Sequence, residues 1–338
     1  MCNIWKDRRE DLLGPQHMDK LPRELETINL SGGEPFLRAD LAEFVRHARN
    51  RCPKAQIVIS TNALMADRIA ERMKEIVQID PTVHLAVSLD GLGEAHDRIR
   101  GVRGIYDAAV RLIDHLAAEG FGGLRLSMTL TADNLDQFVG VAELAARRGL
   151  ELGVVAAHAA TTHLGVGDLP PPGAPDWLRE QFERTIAGWL RSWRPKQWLR
   201  AHFAMVTLRY LAGQRWRFRC RAGRDFFFLQ ADGQVYSCSV QGQAMGNLAT
   251  QSWEEVWQGP AAGAREFSAR CPESCWMICT ARSVYRRRAL QIGWWVLSRK
   301  VLSHRGRCKS GTTPYLPPAE LGRASPKREQ ARDGKIQS

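Results

Sequence analysis

Between Ile28 and His158, short apolar runs alternate with segments whose apolar residues recur every three or four positions. The runs are Ile28–Leu30, Gln56–Ser60, Val83–Leu89, Leu124–Leu130 and Glu151–Ala157. Between them stand Leu41, Phe44, Val45 and Ala48, then Met65, Ile69, Met73 and Ile76. Ile105, Ala109, Leu112 and Leu116 follow, and then Leu135, Phe138, Ala142 and Ala145. Each group marks one face of a helix. Alternation of strands and helices predicts βα units and a parallel sheet. Five units are too few for a closed eight-stranded barrel.

In such sheets ligands bind where the strands end. The predicted ends are Ser31–Pro35, Thr61-Asn62, Ser88–Gly91, Thr129–Asn134 and Ala156–His158, each small or polar. These residues also suit ordinary loops, so their placement on one rim is what recommends them. The first end, Ser31-Gly32-Gly33-Glu34-Pro35, is the most specific. Glycine permits close approach, and proline stops the strand and withholds an N–H. The strand's last carbonyls are left free to accept hydrogen bonds from a small ligand. Read alone, Gly-Gly is also a common tight turn.

A second concentration of chemistry lies near the other end. Cys220 and Cys238 flank two strand-like runs joined at Asp232-Gly233, a hairpin signal. The hairpin would bring the two thiols together. Cys271, Cys275 and Cys279 then fall within nine residues. Thiolates bind soft metals, chiefly zinc or iron–sulfur clusters, and the spacing fits either. Cys52, on the polar end of a helix, reads as a lone cysteine.

Three phrases occur together: Met1-Cys2-Asn3-Ile4-Trp5, Gly32-Gly33-Glu34-Pro35, and the segment Cys220 to Cys279 with Gly246-Asn247-Leu248 and Trp253 in its gap. The combination resembles the radical S-adenosylmethionine (SAM) enzymes that carry a SPASM or twitch extension. It covers roughly residues 1–160 and 220–282. It implies an α/β fold, a partial (βα)6 barrel lacking its first strand, followed by a small auxiliary-cluster domain. It implies that the backbone of Ser31–Glu34 receives the amino group of SAM. Ser88 would contact the carboxylate or ribose, and Thr131 and Ala157 would flank ribose and adenine. Pro35, Asn62 and Asp90 share that cofactor-binding rim. Cys2 is the one member of the family's Cys-x3-Cys-x2-Cys set present, so the ligands of the SAM-binding 4Fe–4S cluster are incomplete here. Four of Cys220, Cys238, Cys271, Cys275 and Cys279 would hold one auxiliary 4Fe–4S cluster. A flavodoxin or ferredoxin would supply electrons. The substrate, peptide or small molecule, stays open. His158 and His163 could donate protons near it, or simply occupy loops.

The net charge of +12 suggests nucleic acid, but its location does not. Residues 282–338 hold 14 Lys/Arg against 3 Asp/Glu, or +11, which leaves about +1 for the rest. A basic tail is commonly solvated, so nucleic acid is not expected as a partner. After Ser310 the chain reads as unstructured. Ala289–Ser298 is too short to span a bilayer. Its cationic flanks and Trp294-Trp295 suit peripheral membrane contact less well than a helix packed on the protein. With no visible signal peptide and scattered cysteines, a cytoplasmic location is expected. Gly165–Gly173, rich in Pro and Gly, marks a boundary. The expected division is a partial barrel over 1–160, a linker and helices over 161–215, a cluster domain over 216–282 and a tail over 283–338. In the helices, Leu178, Phe182, Ile186 and Leu190 form one stripe, and Leu199, Phe203, Val206 and Tyr210 another. Trp177, Trp189, Trp193 and Trp198 pack these helices or line a pocket.

The rival to an enzyme is a non-catalytic iron–sulfur or zinc protein on a decayed radical SAM scaffold. Because Met1-Cys2 falls inside the family's phrase, Met1 is not expected to be the functional start, and the chain as written should not cleave SAM. Codons for an apolar strand and Cys-x3-Cys-x are expected in frame immediately upstream. An in-frame stop codon directly before Met1 would decide for the rival.

Overall fold

The computed structural model describes residues 10–158, 174–216, 218–273, 275–304 and 321–322. Cys2, His163, Gly165–Gly173 and Cys308 lie outside the described residues.

Five strands form one parallel sheet: β1 (Thr27–Leu30), β2 (Gln56–Thr61), β3 (His84–Ser88), β4 (Leu124–Leu130) and β5 (Glu151–Ala156). Their spatial order is their chain order. Each crossover therefore adds its strand on the same side, and the sheet curls into a half-barrel with its helices outside. The helices are α1 (Leu41–Arg51), α2 (Ala66–Ile79), α3 (Glu94–Arg100), α4 (Ile105–Ala118) and α5 (Phe138–Arg147). Every predicted strand is present, displaced by a residue or so. Helix α3 was not predicted, because its one buried residue is His96 and no apolar stripe announces it.

The register separates the two faces. Ile57, Ile59, Leu85, Val87, Leu126, Met128 and Leu130 face the helices and form the main apolar core. On the other face Asn29 pairs with Val58, Ser88 with Ser127, Arg125 with Glu151, and Thr129 with Val155. That inner face is mostly polar, and its buried Val58 and Ala86 stand outside the apolar core.

Helices α6 (Asp176–Arg191) and α7 (Pro195–Leu211) follow. The stripe Leu178, Phe182, Ile186, Leu190 is buried as predicted. Helix α7 is buried around more of its circumference, through Ala201, His202, Ala204, Met205, Val206, Thr207, Leu208 and Leu211, while Leu199 is exposed. Of the four tryptophans, Trp189 and Trp198 pack on the core, whereas Trp177 and Trp193 are exposed. Next come β6 (Arg215–Trp216), then an antiparallel sheet of β7 (Phe228–Leu229), β8 (Gln234–Tyr236) and β9 (Ala244–Asn247). The Asp232-Gly233 turn joins β7 to β8 as predicted: Gly233 takes φ +84° and the Asp232 carboxylate accepts from the Gln234 N–H at 2.9 Å.

Helices α8 (Trp253–Gln258), α9 (Ala261–Arg270), α10 (Ile278–Arg287) and α11 (Ala289–His304) complete the order. Helix α11 packs against α6 and α7 through Ile292, Trp295 and Val296. Its opposite side exposes Leu290, Trp294, Leu297 and Val301. Apolar residues on both sides explain the weak amphipathic signal. The unstructured reading after Ser310 is corrected at one place: β10 (Leu321–Gly322) pairs antiparallel with β6, whose backbone edge is open to a partner. No helix among the described residues is long and apolar enough to cross a membrane.

The outer layer is tied by Asp80, only 2% exposed, whose carboxylate meets Arg49 at 2.5 Å and accepts from the Thr82 N–H and hydroxyl at 2.9 and 2.7 Å. Burial acts to raise its pKa, and the Arg49 and Thr82 bonds outweigh it and hold it below the usual value. A depressed carboxylate stabilises the fold above its unfolded pKa and ceases to do so as pH falls through the folded one. Asp80→Asn should cost ~2 kcal/mol at pH 7, with the loss shrinking below about pH 4. Urea unfolding of both proteins across that range checks it; a pH-independent difference would exclude the ion pair as the cause.

Candidate functional site

The carboxyl ends of the strands meet on one rim, and two buried polar ties shape it. At the end of β1, Ser31, Gly32 and Gly33 are exposed, while Glu34, Pro35 and Phe36 turn inward. Gly32 takes φ +149° with open space where a Cβ would stand, and Gly33 faces open space too. The Glu34 carboxylate accepts from the Thr61 hydroxyl at 2.9 Å, the Asn62 N–H at 2.8 Å and the Phe36 N–H at 3.3 Å. Burial raises its pKa against those bonds and the positive charge of Arg100. The side chain thus locks the β1 loop to the end of β2, leaving the backbone of Ser31–Gly33 open to a ligand. Asn62 is half-buried at the same corner, with its side-chain oxygen accepting from the Leu64 N–H. Ala63 beyond it adopts φ +64°, a conformation unusual for alanine.

The second tie joins β3 to β4. Asp90 is fully buried, meets Arg100 at 2.5 Å and accepts from the Thr129 N–H at 2.8 Å. Asn134 donates to the carbonyls of Asp90 and Thr129, both at 2.9 Å, and accepts from the Thr131 N–H at 2.7 Å. The His96 Nδ1 accepts from the Asp90 N–H at 3.0 Å, so the hydrogen of the neutral ring sits on Nε2, which is buried without a partner. Burial first, then Arg100, push the His96 pKa down to about 4. Asp90 and Thr131 therefore brace the rim from within, and Ser88, half-exposed on the inner face, is the β3 residue able to reach a ligand. Ala157 continues the pairing, its N–H donating to the Leu130 carbonyl at 2.8 Å. Arg100, His96 and Asn134 escaped the sequence reading. A Thr-x2-Asn step after a strand was the one local signal for Asn134.

His158 is buried, stacks on Tyr210 at 4.9 Å and accepts from the Trp276 N–H at 3.2 Å. It joins the barrel to the cysteine-rich part. There the Trp276 indole donates to the Phe203 carbonyl at 3.0 Å, and His202 sits wholly buried among Trp216, Trp276, Tyr285 and Trp295.

Cys220, Cys238, Cys271, Cys275 and Cys279 all line one cavity of ~40 Å³, with Phe218, Phe226, Val240 and Met277 as apolar walls. Burial raises the thiols of Cys220, Cys271 and Cys275, and lifts Cys279 to about 12. A cation or cluster is what would draw such thiols into the thiolate form. The Gln241 N–H donates to the Cys238 sulfur at 3.3 Å, and backbone N–H groups of Ala222 and Arg221 bond that of Cys220. Such donors favour thiolate sulfur and tune clusters. Among the described residues no three ligand-type side chains close on a point as a single ion needs. The donor set fits a sulfur-ligated cluster. Cys52 stays apart, fully buried, its thiol against the Pro22 carbonyl.

Residues 15–145 match the radical SAM superfamily, and residues 220–280 match SPASM, an iron–sulfur cluster-binding domain. The chain belongs to the radical SAM superfamily and carries a SPASM-type extension. It is 29% identical over 269 residues to the mycofactocin maturase MftC of Mycolicibacterium smegmatis, covering 75% of this chain and 64% of that one. It is 30% identical over 230 residues to MftC of Mycobacterium tuberculosis, covering 65% and 54%. The chain thus spans less than two thirds of these relatives. The solved structure of anSMEcpe with bound AdoMet and the Cp18Cys peptide aligns with TM-score 0.54 at 13% identity, over 88% of this chain and 95% of that one. That likeness confirms the fold.

The cavity yields a direct expectation. Anaerobic reconstitution should load about four irons with matching acid-labile sulfide at the five thiols, and Cys220→Ala/Cys238→Ala should lose them. Stoichiometric zinc without sulfide after native purification would establish a zinc site instead.

Proposed function

We propose that this protein is a radical SAM enzyme that cleaves S-adenosylmethionine reductively and abstracts hydrogen from a substrate, peptide or small molecule. The observation that carries the reading is the pairing of an open Ser31–Gly33 backbone on the half-barrel rim with a five-thiol cavity beyond the last strand. Bound SAM on a reduced 4Fe–4S cluster supplies a 5′-deoxyadenosyl radical. The chain's residues do the rest. Cys2 would give one thiolate to that cluster. The carbonyls at Ser31–Gly33 accept the ammonium of SAM, in a position fixed by Glu34. Ser88 and Asn62 offer hydrogen bonds to its polar groups. The Asp90–Arg100–Asn134 tie keeps the β3 and β4 ends rigid, so ordering costs little when ligand arrives. The half-barrel wall shields the reacting C–H bond from water.

The auxiliary cavity would hold one 4Fe–4S cluster on four of its five cysteines, and a flavodoxin or ferredoxin is the class of electron donor that suits the chemistry. The maturase relatives favour a peptide as the substrate class.

Two measurements test this. Assayed anaerobically with a reductant, in a reading frame that carries the full three-cysteine motif, the protein should form 5′-deoxyadenosine; a reduced, iron-loaded protein that forms none would favour the non-catalytic rival. Gly32→Val forces a β-branched residue to φ +149°. It should weaken SAM binding about tenfold or more, on the order of 1.4 kcal/mol, while leaving iron content unchanged. Unaltered SAM affinity would move the site elsewhere.

A further inference from the structure

Arg125 lies on the inner face of β4, in register with Glu151 of β5 and Ala86 of β3. Its Nε and Nη2 atoms are sealed from solvent and have no hydrogen-bond partner among the described residues. Those two N–H groups form one edge of the guanidinium, the parallel fork that grips a carboxylate with two bonds. The nearest acid is already committed: Glu151 meets Arg200 at 2.6 Å. The other charge acting on Arg125 from the facing element is Arg282 of α10, also positive. His84, on the same face of β3, is held down by burial first and then by the charge of Arg125, so it adds no anion. The lower lumen therefore holds three guanidinium groups against one carboxylate, and the fork left open is the least hydrated. A buried, unpaired guanidinium is strongly disfavoured, so a ligand that completes it is bound with little competition from water.

We propose that Arg125 is a carboxylate-binding residue, and that it anchors a carboxylate of the substrate deep in the half-barrel. The proposal rests on the enzymatic reading above and adds the chemical class of the substrate. The carboxylate is not that of SAM. Arg125 stands four residues before Thr129 along β4, about 13 Å below the rim at strand spacing, whereas the open Ser31–Gly33 backbone lies on the rim at the opposite edge of the sheet. A substrate held at its carboxylate end on Arg125 would extend up the polar inner face, past Ser127, toward the rim.

The test reads thermal unfolding of the whole protein without SAM, in sodium acetate, sodium chloride and sodium phosphate at matched ionic strength, for the wild type, Arg125→Met and Arg125→Lys. Acetate should raise the wild-type Tm above its value in chloride. That shift should vanish in Arg125→Met and fall by more than half in Arg125→Lys, because lysine lacks the fork. In chloride, Arg125→Met should unfold at a higher temperature than the wild type, since it removes an unpaired buried charge and keeps an apolar chain of similar reach. An acetate effect no larger than that of chloride, or a larger effect of phosphate, would overturn the carboxylate assignment. An Arg125→Met protein that unfolds earlier or fails to fold would show Arg125 to be structural, which also overturns it. Absence of SAM cleavage by the wild type would count against the enzymatic reading alone, because the acetate shift is read without SAM.

Discussion

The rim depends on a charge placed where it is costly. Glu34 is nearly buried, and its carboxylate accepts three hydrogen bonds from two different segments. Removing a carboxylate from water is repaid only when its lone pairs are filled. The filled arrangement admits one placement of the β1 loop against β2. Arg100, which bonds Asp90, also acts on Glu34 through its charge. The tie at β1–β2 and the tie at β3–β4 are thereby electrostatically joined. Four of the five strand ends are held by this set, and the exposed backbone of Ser31–Gly33 inherits its position from it.

The same arrangement explains why polar residues could be tolerated on the inner face. The outer face supplies the apolar burial that holds the half-barrel together, through rows of Ile, Leu and Val under the helices. The inner face is free to carry Asn29, Ser60, Ser88, Ser127 and Arg125, some of which pair with each other, as the Ser60 hydroxyl does with the Asn29 side chain at 3.1 Å. A sheet with one face given to stability and the other to ligand is the division of labour that a half-barrel allows.

Much of this was legible beforehand, and the reason is local. Each strand of the sheet is an apolar run, and the turn at Asp232-Gly233 needs no distant partner to be read. The five cysteines were legible as a set because thiols in that spacing have few other uses. What escaped were long-range polar pairs. Thr61 and Asn62 lie 27 and 28 residues from Glu34, and Asn134 lies 44 from Asp90. Nothing in the intervening sequence couples them. Arg125 was hidden differently: in Leu124–Leu130 it occupies the polar half of an alternating strand, where an arginine ordinarily reaches water. Only the closure of α7 and α10 over that face takes its water away. Helix α11 was ambiguous since both of its sides are apolar.

The seam between the barrel and the cluster region follows from one aromatic residue. Trp276 sits between two cysteines of the cavity, Cys275 and Cys279, and is 1% exposed. Its backbone N–H is held by His158 at the end of β5, and its indole N–H by the Phe203 carbonyl on α7. His202, one residue before Phe203, is pushed down to about 3 by burial and then by Arg209. It stays neutral while folded and contributes stability that is complete above pH 6.5 and declines as pH falls toward the folded value. Because Trp276 touches the barrel end, α7 and the cysteine loop at once, the thiol cavity cannot move relative to the rim without breaking a buried hydrogen bond. The distance between the two sites is therefore fixed by packing and not by a linker. That is the condition under which electron transfer between separate centres can be tuned by position.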